Sequence, residues 1–145
     1  MELLSEAVTD QVIGCFFEAY NELGAGFVES VYAAALAAVL EEHGIPFEQE
    51  APLRVIFRGR CLGQFRADLV VANQVVVELK AVSHLWPVHE VQLVNYLRAS
   101  GLATGLLLNF GPRAEFRRRV YSRPAPIRVN PRKSASRTSR GSKKS

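Results

Sequence analysis

Three charged side chains stand inside a strongly apolar part of this sequence: Asp68, Glu78 and Lys80, within the run from Arg66 to Val82. The Val- and Leu-rich segments Leu69 to Ala72 and Gln74 to Val82 read as two strands, and Asn73-Gln74 as the reversal between them, which predicts an antiparallel hairpin. Side chains alternate faces along a strand, so Val76, Glu78, Lys80 and Val82 share one face while Val75, Val77, Leu79 and Ala81 share the other. A reversal at Asn73-Gln74 carries Asp68 to the same end of the sheet as Glu78. Unpaired charges inside a sheet are costly to desolvate, so Glu78 and Lys80 need each other, water or a metal. Two readings stand: a salt bridge at a strand end, or two crowded carboxylates that need a cation between them. The second suits Mg²⁺, which takes oxygen ligands, keeps several waters and completes its shell with substrate phosphate.

Asp68 followed by Glu78-Leu79-Lys80 resembles the D…(D/E)-x-K signature of the PD-(D/E)XK nuclease superfamily, with Ala67 where the namesake form has Pro. Upstream, Gly26-Phe27-Val28-Glu29-Ser30-Val31-Tyr32 spells Gly-x-x-Glu-x-x-Tyr, the name-giving motif of the GxxExxY protein family, which is placed in that superfamily. Downstream, Gln92 and Tyr96 are four apart and share a helix face, resembling the Gln-x-x-x-Tyr motif that follows the E-x-K strand in RecB-like members. The ordered set spans about Ser5 to Tyr121. The resemblance implies a restriction-endonuclease-like α/β core, a central mixed β-sheet flanked by helices. It also implies a Mg²⁺- or Mn²⁺-dependent phosphodiesterase acting on nucleic acid, with DNA favoured. Carried onto this sequence, the metal ligands are Asp68, Glu78, the Leu79 backbone carbonyl and Glu29. Lys80 joins Asp68, Glu78 and Glu29 as a catalytic group, and Gln92, Tyr96 and Tyr32 face substrate. Each helical motif also has a purely local explanation: Glu29 suits a helix N-terminus, Tyr32 packs, and Tyr96 sits at the boundary of an amphipathic helix.

The elements that must position these residues are legible in outline. Ser5 to Leu23 carries apolar residues at helical spacing and ends at Gly24, and a second helix runs from about Val28 to His43, closed by Gly44. Phe47 to Phe57 is a strand candidate that Pro52 confines to an edge or a bulge. Arg58-Gly59-Arg60 turns the chain into Cys61 to Phe65, which leads on into the hairpin, so Phe47 to Val82 reads as an antiparallel meander of three or four strands, and Cys61 reads as a core residue. Pro87 suits the first turn of a helix that Gly101 ends. Thr104 to Phe110 has the continuous apolar pattern of a strand buried on both faces, and Phe116 to Tyr121 reads as an edge strand whose arginines blunt the edge or meet phosphate. His84 and His89 flank the last helix as cap or surface groups, without a metal-type spacing.

The chain has 145 residues, 48% hydrophobic and 22% charged, the range of one globular domain with a core of its own. Cys15 and Cys61 form neither a disulfide framework nor a metal motif, and the first residues lack a basic leader, so the cytoplasm is the expected compartment. The longest apolar stretch, Val31 to Leu40, is ten residues, about half of what a bilayer span needs, so no membrane association is expected. The net charge of +4 is unevenly placed: residues 123–145 hold eight basic residues and no acid, leaving ten basic against fourteen acidic residues, a formal −4, in residues 1–122. The expected organisation is a nuclease-like domain over 1–122 and a basic, disordered tail over 123–145. That tail either attracts phosphates without sequence preference or only solubilises. The acidic balance of the rest supports a rival function, a non-catalytic nucleic-acid-binding or scaffold module keeping the same fold; a third reading is an interaction protein in which Asp68, Glu78 and Lys80 form only a buried ion network.

Overall fold

The computed structural model describes residues 2–122; the basic segment 123–145 lies outside them. Eight elements follow one another: α1 (Glu2–Leu23), α2 (Glu29–Glu42), β1 (Phe47–Phe57), β2 (Arg60–Val71), β3 (Val75–Lys80), α3 (Pro87–Ser100), β4 (Thr104–Phe110) and β5 (Ala114–Val120). The strands lie in chain order in one mixed sheet, with β3 and β4 parallel and the other neighbours antiparallel. A parallel pair needs a long crossover, and α3 supplies it. The α/β architecture expected from the sequence is the one observed.

Two cores sandwich the sheet. On one face α1 and α2 bury Val8, Val12, Cys15, Phe16, Tyr32, Leu36 and Leu40 against Leu69, Val71, Val75, Val77, Leu79 and Phe110. On the other, α3 buries Leu93, Tyr96 and Leu97 against Leu53, Ala67, Val76 and Leu107. Every residue of β4 is buried, as its continuous apolar run predicts. Gly105 lets α3 lie close: a Cβ there would stand 2.8 Å from Leu93 Cδ1 and 3.2 Å from Leu97 Cδ2.

Several boundaries differ from the sequence reading. The hairpin reverses at Ala72-Asn73, both at positive φ (53° and 57°), so β3 starts at Val75. Cys61 to Phe65 is continuous with the hairpin's first strand in the long β2, so Phe47 to Lys80 forms an antiparallel meander of three strands. Cys61 itself is exposed, not core, because the outer half of the β1–β2 ribbon runs past the layers that would cover it. The arginines of β5 are spent internally: Arg117 and Arg119 pair with Glu90 of α3, and Arg117 also with Glu115. No helix among the described residues is long and apolar enough to cross a membrane.

Candidate active site at a split between two strands

The site is made by an interruption in β2. Its ladder with β3 holds Val71↔Val75, Val70↔Val76 and Leu69↔Val77 and then stops, although β3 continues beside β4 to Lys80↔Asn109. On the other flank the register passes from Gln49↔Leu69 to Ala51↔Ala67 without pairing Glu50 and Asp68, and Glu50 has a left-handed backbone, φ 49°. The interruption turns the strand over. Ala67 lies in the α3 core and Leu69, two residues on, in the α1–α2 core, which an unbroken strand forbids. Asp68 therefore stands where both ladders lapse.

Carboxylates take over the missing ladder bonds. The Asp68 N–H donates to Glu78 Oε2 at 3.0 Å, and the Leu79 N–H donates to Asp68 Oδ2 at 2.7 Å. In an extended strand the N–H and C=O of one residue point to the same side, so the Leu79 carbonyl is also directed toward the gap that β2 has left. Glu78 is only 6% exposed. Burial, and then the charge of Asp68, push its carboxyl up to about 8, against the opposing pull of the Asp68 N–H and the Lys80 ammonium. Asp68 is raised as well, mainly by burial, with the Leu79 N–H and Lys80 working in the other direction and the nearby Glu50 reinforcing it. Without a cation, this pair keeps a proton at neutral pH. A buried and a partly buried carboxylate with spare lone pairs, one directed carbonyl and access from solvent on the Asp68 side make a donor set for a hard divalent ion, which leaves most of an octahedron to water and phosphate. No group of three or more His, Cys, Asp or Glu side chains gathers at metal-binding distance among the described residues.

The other expected residues divide into two groups. Lys80 lies beside the pair, lowering the pKa of both acids, and its Nζ stands 3.5 Å from Gln92 Oε1 across on α3. Tyr96, one turn further, is nearly buried, and its hydroxyl pKa is raised by burial and then by the charges of Glu78 and Asp68. Glu29 is exposed at the start of α2, near enough for its charge to raise Glu78. Tyr32 is not among the groups brought to the surface of the site. It is fully buried, stacked on Phe110 at 4.3 Å, and its hydroxyl donates to the Gly24 carbonyl and accepts the Phe27 N–H. With Gly26 at φ 111°, the Gly-x-x-Glu-x-x-Tyr motif is thus a fastened turn that delivers Glu29 to the first turn of α2. His89 caps α3, its Nδ1 accepting the Trp86 N–H at 2.9 Å.

Three residues near the site carry no motif. Glu50 makes the kink described above. Asn109, fully buried, clamps the chain just after Lys80: its Oδ1 accepts the Val82 N–H and its Nδ2 donates to the Val82 carbonyl, both at 2.9 Å. Gly111 makes room for that clamp, since a Cβ there would sit 2.2 Å from the Val82 carbonyl oxygen. The signal for Asn109 was present in the sequence, as a lone amide in a buried apolar run must find partners.

Comparison with known proteins bears on this geometry. A family model described as the PD-(D/E)XK nuclease superfamily matches residues 6–120, a range that includes Glu29, Asp68, Glu78, Lys80, Gln92 and Tyr96. Among solved structures, the crystal structure of SSO0001 is similar in fold, with a TM-score of 0.52 at 21% identity over 63% of this chain. This chain spans 50% of the length of that one. A search of curated proteins matched nothing.

Proposed function

We propose that this chain, which belongs to the PD-(D/E)XK nuclease superfamily, is a metal-dependent nuclease that hydrolyses phosphodiester bonds, with DNA the favoured substrate. The observation that carries the reading is the strand split, where Asp68 and Glu78 meet partly or wholly buried with Lys80 beside them. Asp68 and Glu78 would hold Mg²⁺ or Mn²⁺, helped by the Leu79 carbonyl and, directly or through water, by Glu29. When bound, such an ion supplies positive charge against the phosphate and makes a water more acidic. Lys80 holds a second positive charge at the mouth of the split, where negative charge grows on the phosphate, and Gln92 Oε1 steadies the ammonium. The clamp of Asn109 on Val82 fixes the chain on which Lys80 is carried. A non-catalytic nucleic-acid-binding module remains the second reading, favoured by one fact: each carboxylate already accepts a backbone N–H and so has a structural use.

Calorimetric titration with Mg²⁺ and Mn²⁺, followed by cleavage assays on DNA and RNA, separates the two. Asp68→Ala and Glu78→Ala should abolish metal binding. Lys80→Ala should bind metal at least as well as wild type, because a repelling cation is gone, yet cleave on the order of a hundredfold or more slowly. Wild-type protein that cleaves neither nucleic acid with either metal hands the case to the binding module.

A further inference from the structure

Beside the strand split lies a second feature that the proposed chemistry leaves unused. The outer half of the β1–β2 ribbon stands away from α3, and between them opens a groove of about 840 Å³ lined by Arg54, Phe65, Val88, Val91, Gln92 and Tyr96, among others. Gln92 and Tyr96 join the two places: both line the groove, while Gln92 meets Lys80 and Tyr96 feels the charges of Glu78 and Asp68. Its surface is unusually apolar for exposed residues: Phe65 is 46% exposed and Val91 58%. Phe65 also lies 5.8 Å from Tyr96 between ring centroids, giving the groove an aromatic floor. The ribbon above it reverses the acidic balance of residues 1–122, since residues 51–67 contain Arg54, Arg58, Arg60 and Arg66 and no acid.

Building on the nuclease reading, we propose that this groove seats the unpaired bases of a single nucleic-acid strand whose phosphate reaches the Asp68–Glu78 split. An intact duplex turns phosphates and sugars outward and keeps its base faces stacked inside, so it has nothing to place against Phe65, Val88 and Val91. An unpaired strand offers both an apolar base face and a phosphate every nucleotide, the pairing that an aromatic floor under an arginine-bearing ribbon complements. A protein segment would match the apolar floor but would leave Arg54, the ribbon arginine that lines the groove, unanswered unless it were itself acidic. The chain is then a reader of single-stranded ends, gaps or flaps, and the groove sets which strand enters.

The test uses the full-length protein in EDTA, so that no cleavage occurs. Fluorescence anisotropy compares a labelled oligothymidylate of about twelve nucleotides with a blunt duplex of equal phosphate number. Wild type should prefer the single strand about tenfold or more, the scale of stacking one or two bases. Phe65→Ala and Val91→Glu, both at exposed positions, should bring single-strand affinity down to the duplex level and leave duplex affinity within about twofold. Any attraction by the basic residues 123–145 would favour the duplex, whose charge density is the higher, so a preference for the single strand reports on the groove. Equal affinity of wild type for the two probes, or an unchanged ratio in both variants, overturns the proposal. So does concentration-dependent self-association that Val91→Glu abolishes while the ratio stays put, which would make the groove a contact between copies. Metal-free preference for the single strand in a protein that cleaves nothing would keep this inference and sink the nuclease reading, whereas cleavage without any such preference would do the reverse.

Discussion

Replacing Glu78 by Gln should stabilise the metal-free protein at alkaline pH, a result opposite to the usual fate of a buried acid. The folded chain holds a proton on Glu78 until about pH 8, while the ordinary value, expected in the unfolded chain, is 4.5. Between those two values the folded state binds more protons than the unfolded state, so stability is full below pH 4.5 and falls as pH rises toward 8. At 1.36 kcal/mol per pH unit, the gap comes to at most about 5 kcal/mol. That is a large share of the roughly 5–15 kcal/mol that holds a domain together. Gln keeps the shape and an oxygen to accept the Asp68 N–H, so Glu78→Gln removes the titration and little else. Urea denaturation in EDTA at pH 5 and pH 8 measures the effect. The two proteins should differ by no more than about 1 kcal/mol at pH 5, and at pH 8 the variant should be more stable by several kcal/mol, up to that ceiling of about 5. Excess Mn²⁺ or Mg²⁺ should then raise wild type, by about 2.7 kcal/mol at a hundred times the dissociation constant, and leave the variant unmoved. Asp68 is raised in the same direction but is present in both proteins. Parallel pH curves for the two proteins would show that Glu78 titrates as an ordinary surface acid, and with that the account of a strained, cation-seeking pair is lost.

Other consequences are smaller or simpler to read. Asn109→Ala strips the Val82 peptide of both its side-chain partners and should cost about 2–3 kcal/mol, with faster amide exchange at Val82 as the local signature. Gly111→Ala pushes a methyl into the Val82 carbonyl, which is backbone and cannot rotate aside, and should cost roughly 1–3 kcal/mol in denaturant titration. Deleting residues 123–145 removes eight positive charges and should weaken nucleic-acid binding and flatten its salt dependence, with metal affinity by calorimetry unchanged.

The fold was largely legible because its signals are local. Thr104 to Phe110 is a buried strand whose bounds follow from one apolar run, Pro87 and Gly101 bracket α3, and Pro52 does lie on the edge strand β1. What escaped were features with no local signal. The extension of β2 back to Arg60 depends on its pairing with β1, not on its own composition, which is mixed and includes Gly63. Exposure of Cys61 follows from the ribbon's overhang, a tertiary fact that residue type cannot report.

The site shows the same division more sharply. Alternation places Glu78 and Lys80 on one face correctly, because β3 is regular, and nearness of Asp68 to Glu78 follows from the hairpin alone. Alternation fails on β2, where Ala67 and Leu69 enter different cores, and the failure coincides with Glu50 at positive φ on the neighbouring strand. A glutamate in a left-handed conformation is a poor choice for conformational reasons alone. Beside it Asp68 leaves both ladders, which frees the Asp68 carboxylate to take the Leu79 N–H and frees its own N–H for Glu78. Regular pairing at that point would have consumed those backbone groups and left the two acids as ordinary cross-strand neighbours, side by side but without the N–H donors that now hold their carboxylates. The irregularity is therefore what converts two acids ten residues apart into one site, and a reading built on strand regularity sees the residues but not the reason they meet.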